Sequence, residues 1–377
     1  MDLFKVYPLF DIELEKANGV FVFDKNGEKY LDFYGGHAVI SIGHAHPHYT
    51  KQIKEQVEKI SFYSNSVHLN IQETLAKKLG KISGCENYNL FLINSGAEAN
   101  ENALKLASFY NKRKKVIAFH GAFHGRTAAA VAVTDNPKIK PPINFDDHVI
   151  FLPFNDIDAL KNTFEKEGND ICAVIVESIQ GLNGIYEATE DFLKTIQTLC
   201  NQFDAIFIAD EIQCGYGRTG KFFAHQFADV QPDIITIAKG MGNGFPVGGV
   251  LISEKIKATY GMLGTTFGGS PLACAACLAV LDVIEQEQLM LHAEQMGKYI
   301  LEQLKQFSSI KAIRGKGLIL GLEFENPIKA LREKLLYTHK IFTGNSNNAN
   351  TLRLLPSLTI QQQEIDIFIN ALKEEIS

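Results

Sequence analysis

The sequence predicts an α/β protein: a mostly parallel sheet covered on both faces, with a smaller α+β unit beside it. Three observations predict it. Between about 90 and 250, short apolar runs rich in β-branched residues (90–93, 116–119, 149–152, 171–176, 205–209, 234–238) alternate with helical or loop segments. That alternation marks strands joined by crossover connections. The polar residues collect where those runs end, at Asn94-Ser95-Gly96, His120-Gly121, Glu177, Asp210 and Lys239, and ligands on parallel sheets bind at the carboxyl ends of the strands. Finally, 377 residues with 46% hydrophobic and 21% charged content give a globular chain with a large core, enough for about two or three domains.

The remaining elements follow in chain order. Residues 17–33 read as two short strands around an Asp24–Gly27 turn. A glycine- and histidine-rich stretch, 35–48, precedes helical periodicity at 49–60 and 71–82. After the alternating region the pattern predicts one long helix from 271 to about 306. Strands near 318–324 and 351–355 and an amphipathic helix over 361–376 close the chain, with the polar run 345–350 as an exposed loop.

Composition excludes several function classes. A net charge of -6 without blocks gives no basic footprint for nucleic acid. No apolar run reaches the length of a membrane span, and the first residues, MDLFKVYPLFDIELEK, lack the apolar stretch of a signal peptide. Six scattered cysteines fit a reducing, cytoplasmic setting. The Cys274/Cys277 pair lies in a small-residue helix and reads as packing. His37, His44, His46 and His48 match no metal-ligand spacing, so no metal is expected.

Lys239 is the most informative residue. It follows the run Ile-Ile-Thr-Ile-Ala and opens a glycine-rich loop. Burying an ammonium is costly, and desolvation lowers its pKa. The resulting neutral amine is a nucleophile toward an aldehyde. Twenty-nine residues earlier, the run 205–209 ends in Asp210-Glu211. A lysine and a carboxylate on neighbouring strand ends are what pyridoxal phosphate requires, one for its aldehyde and one for its pyridinium nitrogen.

Other motifs are double-edged. Ser95, Gly96 and Ala97 open a helix and read either as a phosphate cup or as an ordinary N-cap. Phe123 and Arg126, in His120-Gly-Ala-Phe-His-Gly-Arg-Thr127, suit a ring stack and a carboxylate clamp, or a solvated turn. Glu177 is either a group supporting the cofactor or a strand-end acid bonded to backbone. Thr265 and Thr266 lie in a glycine-rich loop before a helix, a second possible phosphate contact or a flexible connection. Arg353 sits inside an apolar strand and wants either a structural salt bridge or a substrate carboxylate. Gly215–Gly220 spells GxGxxG but does not come straight off a strand, so a dinucleotide site is rejected.

Taken in order, LDFYGG, GHAHP, NSGAEANE, FHGRT, ESIQG, DEIQCGYGRTGKFFA, PDIITIAKGMGNGFPVG, GTTFGGSPLA and LRLLPSL resemble the class III aminotransferases of the pyridoxal phosphate fold type I superfamily, along nearly the whole chain. Within that class HGRT, TTFGGSPLA and LRLLPSLTI look most like the N2-acylornithine aminotransferases. The resemblance implies a large cofactor domain at 51–273 with a mostly parallel seven-stranded sheet. It implies a small α+β domain from 1–50 and 274–377, and a homodimer with shared active sites. It also implies roles. Lys239 bonds the cofactor and moves the proton, and Asp210 bonds the pyridine nitrogen. Gln213 lies by the phenolic oxygen, Phe123 stacks on the ring and Glu177 belongs to the cofactor pocket. Ser95, Gly96 and Ala97 take the phosphate, joined by Thr266 from the other subunit. Arg126 and Thr265 hold the acylornithine, and Arg353 holds the α-carboxylate of glutamate or 2-oxoglutarate.

The implied reaction moves the δ-amino group between N2-acylornithine, acetyl or succinyl, and 2-oxoglutarate, as in arginine biosynthesis. The alternatives are another ω-aminotransferase, acting on ornithine, 4-aminobutyrate or a diamine, and a non-catalytic binder of pyridoxal phosphate. One departure stands out. Relatives commonly carry a glutamate where this chain has Leu182, and in ornithine-type relatives that glutamate pairs with the arginine matching Arg353. Leu182 leaves an apolar, uncharged wall suited to a longer or differently charged acyl group such as succinyl.

Overall fold

The computed structural model describes residues 1–144 and 147–376. Its strands, in chain order, are β1 Leu14–Asn18, β2 Phe21–Asp24, β3 Lys29–Asp32, β4 Asn89–Ile93, β5 Lys115–Phe119, β6 Val149–Leu152, β7 Ile171–Glu177, β8 Ile179–Gln180, β9 Tyr186–Glu187, β10 Ile206–Asp210, β11 Ile234–Ile237, β12 Gly248–Ile252, β13 Ile310–Lys316, β14 Ile319–Phe324, β15 Ile341–Phe342 and β16 Thr351–Leu354.

Seven of them form the central sheet in the order β4-β12-β11-β10-β7-β5-β6. Every pairing from β11 to β6 is parallel, and β12 alone runs against its neighbours. All six expected strands are present; β12, which opens on two glycines, was not among them. Two faces account for the near-continuous apolar strands. Val116, Ala118, Ala173, Ile175, Ile206 and Ile208 pack on Ala99, Ala103 and Leu106 of the helix Gly96–Asn111. The alternate residues Ile117, Phe119, Val174, Val176, Phe207 and Ala209 pack on Phe192, Leu193 and Ile196 of the helix Glu190–Phe203. Period-two alternation with both faces covered is what a buried parallel sheet demands.

The expected long helix is two, Pro271–Gln286 and Leu289–Leu304. The break falls at Gln288, whose φ of 51° is left-handed and cannot continue a right-handed helix. The first of the pair is buried nearly all round, Cys274 and Cys277 included. Near the N-terminus, β1, β2 and β3 form an antiparallel sheet that β15 extends by pairing in parallel with β3. The two chain ends are therefore stitched together. β13, β14 and β16 make a separate antiparallel sheet, of which β13 was not expected from the sequence. Among the described residues, no helix is long and apolar enough to cross a membrane.

Candidate active site

Register brings the charged residues together. In the central sheet Asp210, the last residue of β10, stands opposite Glu177, the last of β7, and opposite Thr236 of β11. Lys239 follows two residues after β11. Its φ of 48° is left-handed, a strain of order 1–3 kcal/mol for a residue with a side chain, of the kind that gathers at functional sites. Burial lowers its pKa, against the opposing pull of Asp210 and Glu177. Among the described residues its amine makes no hydrogen bond or ion pair.

Asp210 is fixed from three directions. Its Oδ2 accepts from Asn100 Nδ2 at 2.7 Å and contacts His124 Nδ1 at 2.7 Å, while Oδ1 accepts from the Ile212 amide at 3.1 Å. Asn100 is itself tied down. Its Nδ2 also donates to His124 O at 2.7 Å, and its Oδ1 accepts from Thr236 Oγ1 at 2.8 Å. All four side chains are buried. Glu177 accepts the Phe123 amide at 2.9 Å and the Gly181 amide at 3.2 Å. Burial nevertheless raises its pKa to about 7, with the Asp210 charge adding to the rise and His124 opposing it. Glu177 thus joins the turn bearing Phe123 to the Gly181 turn through their backbones.

Ser95 caps the helix Gly96–Asn111, its Oγ accepting from the Glu98 amide at 3.2 Å. The first-turn amides of Gly96 and Ala97 have no intrahelical acceptor. A Cβ at Gly96 would come within 2.9 Å of the Ile212 side chain, so only glycine fits. Thr265 reaches this end of the helix, accepting from Asn94 Nδ2 at 3.3 Å. Thr266 and Arg126 are exposed in the single chain. Gln213 donates to His37 O at 3.1 Å, and its buried Oε1 has no partner.

Arg353 is 1% exposed. Its Nε donates to Asn345 O at 2.5 Å and its Nη1 to Gly181 O at 3.2 Å, while Nη2 is unpartnered. Among the described residues no carboxylate pairs with it, which leaves the structural salt bridge unsupported. Leu182 follows the Gly181 carbonyl that Arg353 binds, and contributes only its own carbonyl, to the Asn347 amide at 2.8 Å.

The other singled-out motifs go elsewhere. His44, His46 and His48 each contact a different carboxylate, Asp32, Glu287 and Asp282. The GxGxxG run is a loop whose Arg218 is buried against the carbonyls of Leu318 and Pro356.

Asn100, Thr236 and His124 were not expected from the sequence. His124 had a signal, since it adjoins Phe123. Thr236 was hidden, because threonine suits a strand on its own account.

A lysine with a depressed pKa and an anchored carboxylate at neighbouring strand ends, beside free helix N-terminal amides, suit a phosphorylated aldehyde cofactor with a basic ring nitrogen. The comparisons with known proteins agree. The model of the family "Aminotransferase class-III" matches residues 5–376. An acetylornithine aminotransferase of Bacillus subtilis (strain 168) is 40% identical, over 100% of this chain and 97% of its own length. One of Methanocaldococcus jannaschii is also 40% identical, over 98% and 94%. Among solved structures, the ornithine aminotransferase of Toxoplasma gondii ME49 superposes with a TM-score of 0.92 at 27% identity, covering 99% of this chain and 92% of that one. An acetylornithine aminotransferase of Elizabethkingia anophelis does so with a TM-score of 0.85 at 31% identity, covering 98% and 95%. The chain belongs to the class III aminotransferases, enzymes that depend on pyridoxal phosphate.

The depressed Lys239 pKa has a measurable consequence. The neutral amine is the nucleophile, and a lowered pKa makes it available at lower pH. The rate at which cofactor-free protein takes up pyridoxal phosphate therefore rises with pH through an apparent pKa below lysine's ordinary 10.5. Stopped-flow absorbance measures it, and a rise that continues through the ordinary value contradicts the burial argument.

Proposed function

We propose that this protein transfers the δ-amino group of an N2-acylornithine to 2-oxoglutarate, forming an N-acylglutamate 5-semialdehyde and glutamate. The observation that carries the reading is Arg353, a buried arginine with a free Nη2 and no protein carboxylate, close to Lys239 and suited to a carboxylate substrate such as glutamate or 2-oxoglutarate. The identity of the relatives points to acylated ornithine as the other amine.

Bound pyridoxal phosphate supplies an aldehyde and a ring that withdraws electrons from the carbon next to the transferred nitrogen. The chain does the rest. Lys239 is the acid–base that removes the proton from substrate Cδ, or from Cα of glutamate, and returns it. Asp210, its Oδ2 already bonded to Asn100 and His124, keeps a proton on the ring nitrogen. Phe123 would lie against the ring, and Gln213 would offer a hydrogen bond near the phenolic oxygen. Ser95, Gly96 and Ala97 would hold the phosphate through the helix N-terminus. Glu177 holds the Phe123 and Gly181 turns in place. Arg126 and Thr265 take the acylornithine.

A second copy of the chain completes the site in this reading. Thr266 is exposed beside Phe267, which touches Phe62, and Ile60, Tyr63, Val67 and Tyr260 are exposed as well. So much exposed apolar surface suits a protein interface. Covering it would let Thr266 reach the phosphate of the other subunit.

The test uses protein loaded with pyridoxal phosphate, without keto acid. N2-acetylornithine or N2-succinylornithine is expected to bleach the cofactor's visible absorbance rapidly, and free ornithine slowly. Rapid conversion of free ornithine, or of none of the three, overturns the reading. Leu182→Glu, which places a carboxylate beside the Gly181 turn that Arg353 binds, is expected to shift the ratio of kcat/KM for the acetyl and succinyl substrates. An unchanged ratio removes Leu182 from acyl selection.

A further inference from the structure

Arg353 is not the only arginine in its neighbourhood. The neighbourhood is assembled from both ends of the chain. β15 pairs with β3, so Thr343 and Gly344, just after β15, lie beside Tyr34, just after β3. Gly344 exchanges two backbone hydrogen bonds of 2.9 Å with Arg353. A Cβ at Gly344 would lie 3.0 Å from the Tyr34 ring and 3.2 Å from Arg353 Cβ, so glycine is what lets the three residues meet. Arg332, in the helix Lys329–Tyr337, donates its Nε to Thr343 O at 2.9 Å. Its guanidinium also lies 5.0 Å from the Phe10 ring centroid. Among the described residues Arg332, like Arg353, has no carboxylate partner, and the buried Thr343 Oγ1 is unpartnered.

Tyr34 and His37 line the same corner. Gly35, Gly36, His37 and Ala38 are four successive residues with φ between 54° and 68°. Asp32 holds the start of that left-handed turn, its Oδ1 accepting from the Tyr34 amide at 3.0 Å and the Gly35 amide at 2.8 Å. Two of the four residues carry side chains, and such strain persists only where the surroundings enforce it. The turn brings His37 Nε2 to 2.8 Å from Tyr34 Oη. Burial and the nearby charges of Arg353, Lys239 and Arg332 push the His37 pKa down to about 4, so the imidazole is neutral near pH 7. Burial likewise lowers Arg353 to about 10, and the Arg332 charge adds to that fall. Two arginines and two neutral polar rings therefore converge, and among the described residues neither arginine forms an ion pair.

We propose that Arg332 is a second arginine of the carboxylate site: with Arg353, Tyr34 and His37 it forms a receptor for the α-carboxylate of glutamate and 2-oxoglutarate, and among the described residues no protein carboxylate is paired with either arginine. The inference rests on the function proposed above. It assigns Arg332 to one substrate only, because glutamate carries a carboxylate on the reacting carbon and acylornithine does not. It also makes the receptor open to small inorganic anions.

The experiment runs the two half-reactions separately on the loaded protein, one with glutamate on the pyridoxamine-free form and one with N2-acylornithine. Wild type is compared with Arg332→Gln and Arg332→Lys. Loss of a charge-assisted contact to the carboxylate raises the half-saturating glutamate concentration of Arg332→Gln by about tenfold or more. Its limiting rate and its half-saturating acylornithine concentration stay within about twofold of wild type. Arg332→Lys recovers part of the glutamate loss. Added chloride raises the half-saturating glutamate concentration of wild type more than that of Arg332→Gln. An unchanged glutamate response in Arg332→Gln, or an equal loss with both amines, overturns the inference, the second outcome marking a structural role only. Failure of the underlying reading is distinct, since wild type would then fail to convert N2-acylornithine whatever it does with glutamate.

Discussion

The site depends on how Asp210 is held. A carboxylate at the end of a buried strand is costly unless its lone pairs are filled, and here three donors converge on it: Asn100 from the helix Gly96–Asn111, His124 from the loop after β5, and the Ile212 amide of its own chain. Asn100 in turn is held by Thr236, one strand over. One hydrogen-bonded chain therefore ties β10, β11, a helix and a loop around a single oxygen. The parallel register of β7, β10 and β11 is what makes this possible, because it ends three strands at one level.

Around that anchor, charge is distributed unevenly. Asp210 and Glu177 draw on Lys239 from the sheet side. Arg353 and Arg332 approach from the C-terminal segment, and Tyr34 and His37 from the N-terminal one. On the sheet side the two carboxylates are already hydrogen-bonded, Asp210 by Asn100, His124 and the Ile212 amide, and Glu177 by the Phe123 and Gly181 amides. The side built from the chain ends carries two arginines without an ion pair among the described residues, which is the feature that the proposed carboxylate site uses.

Much of the site was legible because its residues break a pattern. Glu177, Asp210 and Lys239 interrupt apolar runs at strand ends, and Ser95-Gly96 interrupts one before a helix. What was not legible depended on contacts distant in sequence. Thr236 looks like any strand threonine until Asn100 is seen against it. Asn100 looks like a helix residue until register brings Asp210 within 2.7 Å. Arg332 gave no local signal at all, being one arginine on a charged helix until β15 pairs with β3. The antiparallel β12 was missed because its two glycines read as loop, although in place they let the Ser95 carbonyl and the side chains of Leu90 and Ile237 on the neighbouring strands lie close against β12. The helix break at Gln288 was missed because a glutamine in left-handed conformation has no mark in sequence.

The central claim is that Asp210, held by Asn100 and His124, keeps the cofactor's ring nitrogen protonated. Nitrogen-15 NMR of the protein loaded with ring-labelled pyridoxal phosphate measures that proton directly. The account predicts a pyridinium shift at neutral pH in wild type, and a shift toward neutral pyridine in Asp210→Asn, where the amide can no longer supply the negative charge. The same pyridinium shift in both proteins would contradict it.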